Sequence, residues 1–267
     1  MKFDDVKKLH QKKYRAQFAH YLVEGEHLIL ELHKAYKNHP SLKLDKNLDK
    51  KPDNKPNAKA ITLYITEQHL AWAEALGADF QHQVISEKQM RQLSDTKSPQ
   101  GMVACVPLPP PLTHPLTSTG TKSKGERCIY LHEVQDPGNL GTIIRNLAWF
   151  GNFRLLLSPN SVDPFNSKVV RASMGAIFHL PIELDVALDA LAHRFKRFAY
   201  LDLEGSPVNS PQFANYDCYL FGNEARGIPK ETLSAFDSHA FTINGSGAID
   251  SLNLANAVGI CAYQLSL

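Results

Sequence analysis

Three separated stretches of this chain end a strand-like apolar run in a loop of small and amide residues. They are Glu133-Val-Gln-Asp-Pro-Gly-Asn-Leu-Gly-Thr-Ile-Ile-Arg-Asn146, Tyr219-Leu-Phe-Gly-Asn-Glu-Ala-Arg-Gly-Ile-Pro229 and Ile243-Asn-Gly-Ser-Gly-Ala-Ile-Asp-Ser-Leu-Asn-Leu-Ala255. They sit within an alternation that starts at Cys128. Strand patterns cover 128–134, 154–157, 178–182, 198–203, 217–221 and 240–243, and helical patterns cover 140–150, 166–173, 186–195, 230–236 and 252–265. Alternation of this kind predicts a mainly parallel sheet covered on both faces. Ligands of such sheets bind at the carboxyl ends of the strands, where all three loops fall.

The front of the chain reads as a smaller α/β domain. Helices are expected over 5–14, 26–36, 68–76 and 87–93, and strands over 61–66, 83–85 and 101–106. In the second helix Leu28, Ile29, Leu32 and Tyr36 recur at helical spacing. Residues 37–59 break the pattern with Lys, Asn, Asp and three prolines, too few apolar groups to offset the entropy of ordering, so a mobile loop is expected. A second break, 108–125, holds four of the sixteen prolines among Thr, Ser, Gly and Lys, and reads as an inter-domain linker.

Composition narrows the function classes. At 267 residues with 43% hydrophobic content, the chain is comfortable for two cored domains. No apolar run approaches the roughly 18 residues of a membrane span. The start, Met-Lys-Phe-Asp-Asp-Val, places acids at once and no apolar segment after them, so a cytoplasmic protein is expected. The four cysteines form no CxxC and the twelve histidines no HExxH, so no metal site is expected. Cys128, Cys218 and Cys261 lie in apolar runs and read as buried thiols. The net charge is only +2, yet residues 1–60 carry fourteen Lys/Arg against eight Asp/Glu, which suits a front domain that meets a polyanion.

Each loop carries its own chemistry. The first turns at Pro137-Gly138 and enters a helix with Asn139 as the expected N-cap, a buried stripe of Leu140, Ile143, Ile144 and Leu147, and Arg145 off that stripe in the second turn. Neither GxxxxGK[ST] nor GxGxxG is present, which argues against phosphate-loop and dinucleotide readings. In the second, Gly222 and Gly227 permit a close approach of the backbone to a ligand, and Glu224 is either a site residue or a charge complementing the next helix. The helix after the third loop is apolar nearly all round and should be buried on most sides, with more apolar surface than one side of a sheet needs.

Taken together, Asn139-x-Gly141-x-x-x-Arg145, Gly222-Asn-Glu224 and Ser251-Leu-Asn253 resemble the signature of the SpoU or TrmH branch of the SPOUT RNA ribose 2′-O-methyltransferases. Lys13-Tyr-Arg15, Phe18, Val23-Glu-Gly25 and Ser98-Pro-Gln-Gly101 resemble the L30e-like substrate domain that precedes the catalytic domain in many of them. The resemblance implies an L30e-like RNA-binding domain over 1–105, a linker over 106–126 and an α/β trefoil-knot methyltransferase domain over 127–267. It implies S-adenosylmethionine as cofactor, held by Phe221, Gly222, Asn223, Ile243, Asn244 and Leu252, and catalysis by Arg145 supported by Asn139, Glu224, Ser251 and Asn253. Asn244-Gly245 departs from the family's Pro-Met beside the expected adenine pocket. Lys12, Lys13 and Arg15 of the basic front are the expected RNA contacts, ribosomal RNA is the expected substrate, and a homodimer is the expected assembly. Transfer RNA is the alternative substrate, and a catalytically silent RNA-binding relative the alternative class.

Overall fold

The computed structural model describes residues 1–38, 61–77, 80–110, 112 and 126–267. The chain divides into two units, Met1–Pro110 with Asp163–Phe178, and Pro111–Val162 with His179–Leu267. Nearly all of the expected 37–59 loop, and most of the expected linker, lie outside the described residues.

In the first unit the helix expected over 5–14 is divided. It forms α1 (Phe3–Lys7), a 3-10 turn (Lys8–His10) and α2 (Lys12–Phe18), because Gln11 takes extended backbone at φ −102°, ψ 133°. The chain continues through β1 (His20–Glu24), α3 (Glu26–Asn38), β2 (Thr62–Ile65), α4 (Leu70–Ala75), β3 (Gln81–Val84), α5 (Glu87–Leu93) and β4 (Met102–Pro107). The strands form one sheet in the order β1-β4-β2-β3, with β2–β3 parallel and the pairs with β4 antiparallel. Val6, Leu9, Leu22, Tyr64, Met90 and Val103 pack into its core. The Val23-Glu-Gly25 and Ser98-Pro-Gln-Gly101 landmarks meet each other: Gln100 Oε1 accepts from the Glu26 N–H, and Gly25 N–H donates to Met102 O. Gly25 has φ +97°, and a Cβ there would meet Gln100 Oε1 at 2.8 Å, so the junction requires glycine.

The second unit carries β5 (Arg127–Leu131), α6 (Pro137–Phe150) and β6 (Phe153–Leu157). Next in sequence, α7 (Ser167–Ala172) lies in the segment that belongs to the first unit. The chain then supplies β7 (Ile182–Glu183), β8 (Phe198–Pro207), β9 (Cys218–Phe221), α8 (Lys230–Ser234), β10 (Ser238–Thr242) and α9 (Leu254–Ser266). All six strands pair in parallel, in the order β10-β8-β9-β5-β6-β7. The expected alternation is present, with two local departures. The strand expected over 178–182 is only β7, and the helix expected over 186–195 is only a 3-10 turn, Asp189–His193. There Leu191 and Phe195 are drawn into a core with Cys128, Tyr130, Phe198, Cys218 and Leu220, and burial overrides helical propensity. Burial also pushes the Cys128 thiol up to about 12. No helix among the described residues is long and apolar enough to cross a membrane.

The last helix differs from expectation in a useful way. Ala255, Val258, Cys261, Ala262 and Leu265 of α9 are buried, but Ile260 is 40% and Tyr263 53% exposed. Tyr263 lies against Phe150 of α6, whose neighbour Trp149 is 84% exposed. The exposed apolar surface of α9 is therefore carried by Ile260 and Tyr263, the latter against α6.

Candidate active site

The first loop departs from the expected capping. Asp136, not Asn139, is the N-cap of α6: its carboxylate accepts from the Asn139 N–H at 2.6 Å, and Pro137 occupies the first helical position. Proline there is pre-organised for the helix, and aspartate caps as well as asparagine. The consequence reaches the chemistry, because the Asn139 side chain is released from capping. Its Nδ2 donates to Glu224 Oε1 at 3.1 Å, and its Oδ1 accepts from Asn253 Nδ2 at 2.9 Å.

Asn253 holds the other end of this relay. It caps α9, accepting from the N–H groups of Ala255 and Asn256, so its amide is oriented before it reaches Asn139. Glu224, six residues ahead of α8, binds Asn139 rather than complementing a helix start. One residue from each loop thus joins a single hydrogen-bonded line at the carboxyl ends of the strands. Glu224 Oε2 and the second Asn139 amide hydrogen have no partner among the described residues. An acceptor and a donor side by side suit a sugar hydroxyl.

The second loop is built to keep its shape. Asn223, buried, exchanges backbone hydrogen bonds with Gly227 at 3.1 and 2.8 Å, and its side chain accepts from the Ala225 and Arg226 N–H groups. Its Nδ2 donates to Glu133 O at 2.9 Å, which ties the second loop to the first. Glu133 sits in left-handed backbone at φ +50°, its N–H donating to Ser158 Oγ and its carboxylate pairing with Arg226 at 2.5 Å. Neither Glu133 nor Arg226 is among the expected site residues; a non-glycine φ of this sign has no signature in the sequence. Beside them, burial lowers the His132 pKa, against the raising effect of Glu133, and its Nδ1 is buried without a hydrogen-bond partner.

The remaining expected residues divide by exposure. Phe221 is buried in β9, so its side chain is core and only its backbone faces the loop. Ile243 is half-buried, while Asn244, Ser251 and Leu252 are exposed, and the Ser251 hydroxyl has no partner among the described residues. A Cβ on Gly222 would come within 2.4 Å of the Gly227 carbonyl carbon, so two backbone segments lie against each other with no room for a side chain. A cavity of about 880 Å³ opens beside this loop, lined by residues 200–204, Arg226, Gly227, Ile228 and groups from 230–238. Its volume falls in the roughly 300–1,000 Å³ range of small-molecule pockets, but none of Phe221, Gly222, Asn223, Ile243, Asn244 and Leu252 lines it. The 200–204 wall was not anticipated; it lies within β8, where the pairing with β10 shifts register.

Two arginines behave unlike their expectations. Arg145 is exposed and has no hydrogen bond or ion pair among the described residues. Because α6 starts at Pro137, Arg145 falls in the third turn rather than the second, about 9 Å along the axis from Asn139. The structure therefore brings Asn139, Glu224 and Asn253 together and leaves Arg145 on another part of the helix. Arg15, expected on the RNA-facing surface, is 4% exposed. Its Nε and Nη2 donate to Asp163 Oδ2 at 2.8 and 2.5 Å, and its Nη1 donates to Leu9 O. A guanidinium so committed is a structural group, and Arg15 is withdrawn from the surface. Lys12 and Lys13 remain exposed on α2.

Both parts of the chain match known protein families. Residues 126–263 match the SpoU rRNA Methylase family, and residues 2–104 match the MRM3-like substrate binding domain. The chain belongs to the SpoU rRNA methylase family. It is 28% identical over 269 residues to the 23S rRNA (guanosine(2553)-2'-O)-methyltransferase RlmP of Bacillus subtilis, covering 99% of this chain and 95% of that protein. A crystal structure of an AdoMet-bound rRNA methyltransferase from Sinorhizobium meliloti superposes with a TM-score of 0.75 at 27% identity, covering 98% of this chain and 93% of that one. The SpoU methyltransferase AviRb of Streptomyces viridochromogenes shares the fold at a TM-score of 0.75 and 20% identity, with 99% and 96% covered.

Proposed function

We propose that this protein transfers a methyl group from S-adenosylmethionine to a ribose 2′-oxygen of ribosomal RNA. The observation that carries the reading is the Asn139–Glu224–Asn253 relay, which joins one polar residue from each of three loops at the ends of parallel strands. The family, and the AdoMet-bound and 23S rRNA-methylating relatives, support it. The loops fit the cofactor: exposed Leu252 and Ile249 offer apolar surface to an adenine ring, and the Gly222–Gly227 contact brings backbone polar groups to its edge. Phe221, Asn223, Ile243 and Asn244 frame that slot. The bound cofactor supplies an electrophilic methyl. The chain's task is then to hold the ribose hydroxyl on the line of attack and stabilise it as its proton passes to solvent.

Glu224 and Asn139 take the ribose, with Ser251 at the loop edge and Asn253 fixing the Asn139 amide. Arg145 is no proton acceptor, since guanidinium stays protonated below a pKa of about 12. Its role is a bidentate hold on the RNA phosphate, which favours the ionised hydroxyl and fixes its orientation. Residues 1–105 form the RNA-binding domain, 106–126 the linker and 127–267 the knotted catalytic domain, working in the cytoplasm. Lys12 and Lys13 contact phosphate, and each lost contact lowers the slope of log K against log salt by about 0.7–0.9.

The assembly in this reading is a two-fold dimer through the apolar face of α6 and α9. Trp149, Ile260 and Tyr263 are exposed there, and a self-complementary contact covers them at once. Arg145, four residues before Trp149, shares that side of the helix and points to the partner. Light scattering at micromolar concentration should give twice the chain mass. The cofactor reading is tested by calorimetry: S-adenosylhomocysteine should bind without RNA, and NAD should give no heat. NAD binding in its place would sink the methyltransferase reading. The substrate is identified by mapping which 2′-O-methyl marks vanish from total RNA in a deletion strain.

A further inference from the structure

We infer that Tyr14 of the first unit is a stacking platform for an unpaired RNA base, with Lys8 and Lys13 as its phosphate-facing flanks. The inference rests on the RNA-substrate reading above and adds to it the kind of RNA that the unit recognises. The Tyr14 ring is only partly covered and lies nearly parallel to that of Phe18, at 14° with centroids 6.1 Å apart. Its hydroxyl has no hydrogen-bond partner among the described residues. Two ammonium groups stand over the ring, Lys13 Nζ at 4.6 Å and Lys8 Nζ at 5.8 Å from the centroid. Lys13 and Lys12 have no acidic partner among the described residues, whereas Lys8 also pairs with Asp5.

What holds this group in place is Arg15, the residue next in sequence. Its three donated hydrogen bonds, to Asp163 and to the Leu9 carbonyl, fix α2 in rotation. Tyr14, Lys12 and Lys13 are thereby presented on an oriented backbone rather than on a mobile tail. Each ammonium rides on a flexible four-carbon stem and can move from ring to phosphate without moving that backbone. A nucleotide satisfies both parts of the site: its base takes the ring face and its phosphate takes the ammonium. An acidic peptide would satisfy only the lysines. A duplex offers phosphates but keeps its base faces stacked internally, so the ring selects single-stranded or looped RNA.

The test uses the full-length protein with short fluorescent oligoadenylate and an RNA duplex of the same length, read by anisotropy. Tyr14→Ala should weaken oligoadenylate binding by roughly five- to a hundredfold, the loss expected when an aromatic platform is removed. Duplex binding should change less than twofold, and Tyr14→Phe should behave as wild type. As a check that needs no variant, 2-aminopurine placed in the oligonucleotide should be quenched on binding wild-type protein. Equal losses for both RNAs, an unchanged oligoadenylate affinity, or absence of quenching would each overturn the platform while leaving the methyltransferase reading intact. Displacement of the oligonucleotide by polyglutamate as readily as by unlabelled oligoadenylate would point to an acidic peptide and also overturn it. Failure of the wild-type protein to bind any RNA would remove the platform and the RNA-substrate reading together.

Discussion

In both units polar side chains from distant parts of the sequence converge, and a cluster of the first unit and the site line of the second are finished to different degrees. In the first unit Glu24 accepts from the Ser94 and Thr96 hydroxyls and from the Asp95 N–H, and Asp95 accepts from Ser167 and Arg171. Burial alone would raise the Asp95 carboxyl, but the bonds from Arg171 and Ser167 hold it below the usual carboxylate range. Arg15 and Asp163 are similarly closed, with side chains only 5% and 10% exposed. In the second unit the Asn139–Glu224–Asn253 line is open to solvent, and it leaves donors and acceptors unused. A polar cluster whose members bind mainly one another holds a fold together; one open to solvent at strand ends is available to a ligand.

The strongest way to break that contrast is to unbalance the closed cluster. Asp163→Ala leaves the Arg15 guanidinium buried and unpaired, which should cost about 3–5 kcal/mol of stability. Urea denaturation should register the loss, while calorimetry in the absence of urea finds S-adenosylhomocysteine affinity unchanged. Replacing both partners, as Arg15→Met with Asp163→Leu, should recover much of it, since well-packed apolar groups substitute for a buried pair. A variant with normal stability and reduced methyl transfer would reverse the assignment and make Arg15–Asp163 functional.

Arg145→Ala is the mirror experiment, because this arginine has no partner among the described residues. Folding and cofactor binding should stay at wild-type values, while single-turnover methyl transfer to rRNA falls. A charge-assisted hydrogen bond is worth roughly 1.5–3 kcal/mol, so a ten- to hundredfold drop is the minimum expected. Arg145→Lys should rescue poorly, since a point charge does not reproduce the planar fork. Transfer within about twofold of wild type would remove Arg145 from the mechanism.

These contrasts also explain which features were readable in the sequence alone. The parallel sheet was legible because strand and helix periods alternate in plain sight, and the three loops because glycine and asparagine cluster where strands end. Local competition was harder to see. Asp136 and Asn139 are both good N-caps, and only the position of Pro137 favours the first. Arg15 looked like its basic neighbours, yet its partner Asp163 lies 148 residues away, a separation that no local pattern reports. The 186–195 stretch has helical periodicity, but the core claims Leu191 and Phe195 at the expense of a full helix. The Glu133–Arg226 pair depends on a backbone angle, which composition does not encode.

A smaller effect should come from within the open line. Asn139→Ala and Asn253→Ala share the 2.9 Å bond, so their effects on methyl transfer should be non-additive. A double-mutant cycle should return a coupling of about 0.5–3 kcal/mol, the range for residues in one hydrogen-bonded network. Asn253→Ala should also lower stability by about 1 kcal/mol through loss of the α9 cap. Asn139→Ala should not, because Asp136 caps α6. Strict additivity would mean that the two amides act separately and that the relay is only a packing contact.

The smallest effect is a difference in acid response between the two regions. Burial disfavours the His132 cation in the folded state, so His132 binds fewer protons folded than unfolded. A depressed histidine contributes stability that is fully present above its unfolded pKa and lost as pH falls, here below about 6.5. Asp95 is also depressed, but as a carboxylate its contribution persists until pH falls below about 4. Between pH ~7.5 and ~5.5, hydrogen exchange followed by mass spectrometry should therefore show protection weakening around Phe221, whose carbonyl accepts the His132 N–H. Protection around Glu24 and Asp95 should stay level over the same window. His132→Phe, which cannot take a proton, should flatten the first response and leave the second unchanged. If protection near Phe221 falls equally in that variant, the pH sensitivity of the open region arises from another group, and His132 is a passive part of the loop.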